Sequence, residues 1–468
     1  MRLAFPTALL AALPTALLAA LPTALLAALP TALLAALLAA TTVAASDDAT
    51  KTLTRTHDPI SIRGTALADL HGHTIASLRL LAVEDGKAVP IPFQIDERDE
   101  EDRIVLTDPP PGRTLDADDE LVFMAADSGD RLAEGKLPGG SGRALEIEIT
   151  DPLSGERGWA YLAVFGETAP PLSEKSYVHF DRVANQGRSE LYSVDYDVRG
   201  NFFTGFRIAT LGGGNGENLI HRTRMRGAPT FSLLLGRFEM SFTEEDSLMV
   251  LTGVKNGPVR ATRHVELSVD LGGMLPQIPS GQVDTYHYRS SVVTPSKVSI
   301  PWVVLKLASE FSFVSLSDFR DVAGGMRYYD AQHPDGLEFD GHSDAVPAGV
   351  DHNWWVATGT PGTLMQVFVI PEKWREWGVV RGTVYLDEPP GAPERPSTTG
   401  THAAGFTLEH VEDIPEAGDV ELTMVTAILP RPYEPGDEKG PLSMIEKPLE
   451  ISVRSLPQRT GMVQAKRE

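Results

Sequence analysis

Runs in which apolar side chains fall on every second residue, punctuated by turn-forming residues, restrict the fold of this chain more than any other feature. Leu145, Ile147 and Ile149 alternate with acidic neighbours in RALEIEIT, and Leu449, Ile451 and Val453 do the same in LEISVRS. Successive side chains leave a strand from opposite faces, so this period gathers the apolar groups onto one side of a sheet. GTLMQVFVIP (362–371) and VELTMVTAIL (420–429) are more uniformly apolar and read as more deeply buried strands. With 42 Gly and 35 Pro spread along 468 residues, uninterrupted helical spacing is scarce. The expected class is all-β: antiparallel β-sandwich domains with few short helices, VVLKLASEF and SLSDFRDV being the stretches that could supply one.

The first forty residues follow a different rule. Leu, Ala, Pro and Thr recur with an eight-residue period that places Pro6, Pro14, Pro22 and Pro30 in equivalent positions. Proline removes a helical donor and clashes with the preceding turn, which argues against one straight membrane span. With three copies removed, MRLAFPTALLAALLAATTVAAS remains: a basic start at Arg2, an apolar centre and small residues at Val43 and Ala45. Residues 1–45 therefore read as a tandemly expanded secretory signal peptide cut after Ala45, with an uncleaved anchor as the alternative. Export to the periplasm or beyond the cell is the expected localisation.

The remaining chain is long enough for two or three domains. ETAPPLSEKS, near Pro170, is polar, carries paired prolines and follows a completed run of short strands, so a boundary is expected there. The expected organisation is an N-terminal β-sandwich domain over 46–168 and a larger one over 177–468, with a proline-rich surface loop at 387–400. No further apolar run approaches ~18 residues, so no stable span is expected in the mature chain. The formal net charge of −23 repels nucleic acid and anionic lipid. There is no Cys, which rules out disulfides, thiolate catalysis and cysteine-ligated clusters.

Several residue groups carry possible chemistry. Asp69-Leu70-His71-Gly72-His73-Thr74 resembles the first metal-binding strand of PHP-type phosphoesterases and amidohydrolases, in which two imidazoles on one strand face reach a metal. The alternating helices of such a barrel are missing, and two ordinary histidines in a strand or turn are the competing reading. Asp116, Asp118 and Glu120 stand at alternate positions and could converge on calcium, although DADDE lacks the turn glycine of an EF-hand. A solvated acidic hairpin is the alternative; no cofactor is expected beyond this calcium reading. Arg222, Arg224 and Arg226 alternate in HRTRMRGAP, so a strand would present three guanidinium groups on one face, with Arg260 and Arg263 after the turn KNGP. Such a row suits a carboxylate-bearing ligand or internal pairing with Glu244, Glu245 and Asp246.

Tyr286 and Tyr288 flank His287, Trp354 and Trp355 are adjacent, and Trp374 and Trp377 lie in PEKWREWG. Neighbouring strand residues face oppositely, so one of Trp354 and Trp355 should bury while the other can present a ring to a sugar. Proton abstraction beside a uronate needs a cation and a Tyr or His base, which makes Tyr288, His287 and Arg289 candidate catalytic residues. GGGNGEN, GGSGR and the lack of HExxH leave dinucleotide, serine-hydrolase and zincin readings without support.

RLLAVEDGKAVPIPFQIDERDEED followed by LDADDELVFMAAD resembles a module of uncharacterised secreted bacterial β proteins, in which a PFQID strand, an acidic loop and a DELVF strand follow one another. VKNGPVRATRHVEL resembles the GPVR strand of large β-sandwich domains in carbohydrate-active proteins, including some polysaccharide lyases. These resemblances imply architecture more than activity. The first functional reading is an exported β-sandwich protein that binds a glycan or another envelope component without catalysis. The alternatives are a lyase-like enzyme acting on acidic sugars and a structural partner in a cell-surface assembly.

Overall fold

The computed structural model describes residues 49–457 apart from 134–135, 137, 139, 199–201, 234–235, 270–277, 301, 320–324, 343–348, 389–401 and 416–418. The leader and most of the proline-rich loop expected at 387–400 lie outside the described residues. From Thr50 onward the chain clusters as one unit, built of antiparallel sheets joined by short turns, with few and short helices. The expected all-β class is what the structure has.

Two large sheets carry most of the mass. In the first, the strands run in the order Gly349–Val350, Val380–Asp387, His402–Glu409, Ala308–Phe319, Asn218–Leu233, Phe203–Ile208, Tyr192–Tyr196, Gln186–Ser189 and Val178–Asp181. In the second the order is Ser247–Asn256, Ala261–Val269, Ile278–His287, Ser291–Ser299, Asp419–Leu429, Gly362–Val369, Trp354–Gly359, Arg327–Asp330 and Leu337–Glu338. One apolar cluster draws on both sheets, including Phe206, Ile220 and Phe406 from the first and Val292, Trp355 and Leu364 from the second. Trp355 packs edge-on to Phe319 at 5.9 Å, which settles the choice within the Trp pair: Trp355 is core.

Two smaller sheets belong to the N-terminal part. One orders Pro59–Arg63, Asp119–Met124 and Gln94–Glu97, and the other orders Glu450–Ser455, Arg143–Thr150, Arg157–Val164, Leu78–Glu84 and Lys87–Pro90. Both alternating runs read from the sequence are therefore strands, and they pair with each other: Ile451 lies opposite Ile149, and Val453 opposite Ile147. The polar stretch around Pro170 falls between Arg157–Val164 and Val178–Asp181, where the chain passes from the small sheets to the large ones. The last described strand then returns to the N-terminal sheet.

Of the two expected helical stretches, VVLKL forms the second to sixth residues of the helix Trp302–Leu307. SLSDF is instead the end of the strand Ala308–Phe319. Phe313, Ser315 and Ser317 alternate with Val314, Leu316 and Asp318 across two neighbouring strands, so cross-strand pairing overrides the local helical spacing.

Gly405 marks the closest approach of two of these strands. A Cβ there would overlap the carbonyl of Ser315 on the paired strand. We expect Gly405→Ala to lower the unfolding free energy by about 1–3 kcal/mol, the usual cost of overpacking, as measured by urea denaturation followed by far-UV circular dichroism.

Candidate functional site

The sequence motifs that carried the family resemblance meet in space. Gln94 and Asp96 of PFQID, Glu120 of DELVF and Arg260 of GPVR form one buried cluster where the three-stranded sheet abuts the second large sheet. Arg260 is only 2% exposed; its Nη2 donates to Asp96 at 2.6 Å and to Glu120 at 2.7 Å. Arg98 grips both oxygens of Glu120, at 2.9 and 2.8 Å, and Ser61 donates to the same carboxylate. The Gln94 side-chain oxygen accepts from the backbone N–H groups of Val259 and Arg260, while its amide donates to Asp96. Lys255 reaches Asp96 at 3.3 Å. The ring of Tyr286 lies 5.0 Å from the guanidinium of Arg260, and the Tyr288 hydroxyl 3.4 Å from it.

This arrangement corrects the calcium reading. Asp116 and Asp118 lie in the turn before the strand Asp119–Met124, and so do not share a strand face with Glu120. Both are exposed, whereas Glu120 points inward to Arg98 and Arg260, which supply the positive charge. Asp119 turns in as well, pairing with Arg113 and accepting from the Asp116 backbone. Among the described residues, no three His, Asp or Glu side chains are grouped to hold a metal. His71 sits in a turn after the 3₁₀ helix Gly64–Leu70, with its Nε2 against the Gly64 carbonyl at 2.8 Å, so DLHGHT is no metal-binding strand.

The catalytic candidates separate. His287 faces the interior between the large sheets, its Nε2 3.1 Å from the Tyr196 hydroxyl and its Nδ1 3.3 Å from that of Tyr192. Tyr288 leaves the opposite face toward Arg260, and Arg289 pairs with Glu190 at 2.6 Å. His287 ends its strand and Tyr288 and Arg289 lie in the turn that follows, and with separate partners the three do not converge on one atom. Burial together with the charge of Arg263 drives the His287 imidazole down to about 3. Arg263 is itself buried, its guanidinium 4.0 Å from the ring of Tyr196.

The arginine row does lie on one strand, Asn218–Leu233, with Arg222, Arg224 and Arg226 on the same face. Its partners differ from those expected: Arg222 and Arg224 converge on Asp318, at 3.4 and 2.5 Å, and Arg226 is 3.8 Å from Glu239. Glu244 accepts instead from the backbone of Met225. Burial lifts the Asp318 carboxyl to about 6, with Arg224 offsetting part of the rise. Trp354 is half-buried and, like Leu442 and Ile445 of the helix Lys439–Glu446, packs against the cluster that includes Val356, Val367 and Val425.

What the sequence reading missed is a groove on the outward face of the second large sheet. It has a volume of about 930 Å³ and is walled by the acidic loop after PFQID on one side and by Glu266, Gln282, Asp284, Tyr286 and Lys297 on the other. The lining holds five carboxylates, Glu101, Asp102, Glu266, Asp284 and Glu421, against four cations, Arg63, Arg98, Arg103 and Lys297. Many of these are already paired: Arg63 grips Asp102 at 2.6 Å through both nitrogens, and Asp284 contacts His264 at 2.5 Å and accepts from Tyr286 at 3.3 Å. Acidic residues at 99–102 were visible in the sequence, but the strand residues opposite them are more than 160 positions away, and no local signal joins the two.

No family model matches this chain, and no curated protein does. Among solved structures, a protein of glycosyl hydrolase family 38 from Enterococcus faecalis aligns over 87% of this chain and 47% of its own, with 9% identity and a TM-score of 0.42. An alpha-mannosidase from Enterococcus faecalis V583 aligns over 92% and 49%, with 8% identity and a TM-score of 0.38. The chain spans about half the length of either.

Two titrations follow from the buried groups. Burial raises the Glu120 carboxyl, but Arg260 and Arg98 outweigh it and hold the group at about 2. Its stabilising contribution is thus complete above the unfolded value near ~4.5 and is lost as pH falls toward 2. His287, neutral in the fold, adds a loss that begins earlier, as pH falls from about 6.5 toward 3. Urea midpoints measured against pH should fall through both windows. His287→Gln should flatten the fall between about 6.5 and 4.5, and Glu120→Gln, costing about 3–5 kcal/mol at neutral pH, should flatten the part below ~4.5.

Proposed function

We propose that this is an exported protein that binds a glycan, without catalysis, in the polar groove between the acidic loop and the second large sheet. The observation that carries the reading is the composition of that groove: near-balanced acids and bases, an amide and the half-buried Tyr286 ring. Sugars offer hydroxyl groups that both donate and accept, and an apolar ring face that packs on an aromatic. A surface alternating carboxylate acceptors with guanidinium and ammonium donors answers the first need, and Tyr286 answers the second. Five carboxylates against four cations favour a neutral polyhydroxylated ligand over the acidic sugars first considered. Export rests on the N-terminal sequence.

Binding is preferred to chemistry because two carboxylates of the groove are already tied to neighbouring side chains. Asp102 is gripped by Arg63 through both nitrogens, and Asp284 is hydrogen-bonded to His264 and Tyr286. The lyase alternative would need a base and a cation in one place, and Tyr288, His287 and Arg289 do not provide this. A role as a structural partner in a surface assembly is the outcome left if no sugar binds.

A glycan array probed with the mature protein, run beside an absorbance assay for unsaturated product, separates these readings. We expect retention of neutral oligosaccharides without product. Gln282→Ala and Tyr286→Phe should bracket the site, the first weakening binding about tenfold through a lost amide pair and the second leaving ring stacking intact. Product formation would replace the binding reading with the enzyme, and an empty array would overturn both.

A further inference from the structure

The same strands that floor the polar groove carry a different surface on their other side. Between the two large sheets lies a cavity of about 300 Å³, and no charged residue is among the described residues that line it. The alternation that sends Arg222, Arg224 and Arg226 outward turns Thr223 and Met225 inward, and Met249, Leu267 and Val283 face them from the second sheet. Protein interiors rarely keep voids larger than a water molecule, because lining atoms without partners forfeit dispersion contacts. Space of this size between apolar walls is built for a guest.

We propose that this cavity receives a single hydrocarbon chain of about a dozen carbons. An apolar cavity of ~150 Å³ accommodates a six-carbon ring, so twice that volume takes roughly twice the carbon. The lining suits a flexible chain better than a rigid ring system: Met225, Met240, Met249 and Met424 all contribute, and unbranched thioether side chains adapt to an irregular guest. An entrance is marked by apolar groups in water. Phe231, a wall residue, stacks on Phe238 at 6.5 Å and pairs across the sheet with Ala308, the neighbour of Leu307. Phe238 is 47% exposed and Leu307 52%, which leaves an apolar rim beside the wall. The Thr223 hydroxyl, buried and without a hydrogen bond among the described residues, can receive or donate one to the polar end of the guest. This site lies mainly on the opposite face of the second sheet from the proposed glycan groove, with Leu267, Ser296 and Ser299 bordering both, and the proposal does not rest on that reading.

Trp374 is a wall residue and supplies the assay. The full chain is titrated with a dodecanoate carrying bromine on its chain, a contact quencher of indole fluorescence. We expect saturable quenching at one equivalent, displaced by unlabelled dodecanoate but not by butyrate, and largely abolished in Trp374→Phe. Val283→Phe, which fills the cavity, should weaken binding at least tenfold without lowering the melting temperature; Thr294→Leu provides a second filling variant should the first fail to fold. A parallel arm offers the brominated chain within phosphatidylglycerol vesicles. Quenching by the free acid alone assigns a soluble amphiphile, and quenching from vesicles as well assigns a membrane-lipid chain. Absence of saturable quenching in both arms, or quenching that survives Trp374→Phe and both filling variants, overturns the proposal.

Discussion

Arg260 is the point at which separate parts of the chain become answerable to one another. Its guanidinium is stripped of water and balanced by Asp96 from one strand and Glu120 from the next, while its own backbone N–H is held by Gln94. Desolvating three charges is expensive, and the gain in attraction repays it only when the geometry is complete. The second arginine on Glu120, the lysine on Asp96 and the serine hydroxyl complete it. Removing either carboxylate leaves three largely buried cationic side chains to share the other, so the contact between the three-stranded sheet and the second large sheet is weakened from both sides. The pairing also fixes the place of the acidic loop, because Arg98, one of its first residues, is tied to the same carboxylate.

The strict alternation of strand side chains lets one sheet serve two unlike surfaces. Glu266, Gln282 and Asp284 look out into a polar groove, while Leu267 and Val283 between them look in on an apolar cavity. The two surfaces meet at Leu267, beside an irregular pairing between Leu267 and Ser268, and at Ser296 and Ser299, all of which border both. On the facing sheet the same rule turns three arginines outward to Asp318 and Glu239, and leaves threonine and methionine to line the interior.

Much of the fold was legible because its cause is local. Leu145, Ile147 and Ile149, like Ile451 and Val453, announce strands through their own spacing, and the turn KNGP announces a hairpin. The site was less legible. Glu120 looked like a calcium ligand because its neighbours are acidic; its charge is met by Arg98 and by Arg260, 140 positions further on. Tyr288, His287 and Arg289 looked like a catalytic set because they are adjacent, yet a strand end followed by a turn sends them to different environments. SLSDF had the spacing of a helix and became a strand because two partners were already in place to pair with it.

By itself, then, the sequence determined what depends on nearest neighbours: an all-β class from period-two alternation, a single face for the arginine row, and a chain that holds together without disulfides because it has no Cys. Only the tertiary structure decided which charges cancel, which tryptophan enters the core, and where a groove and a cavity remain. The physical reason is range. Side-chain direction follows from the backbone of a few residues, whereas the partner of a charge, or the space left between two sheets, follows from strands brought together from opposite ends of the chain.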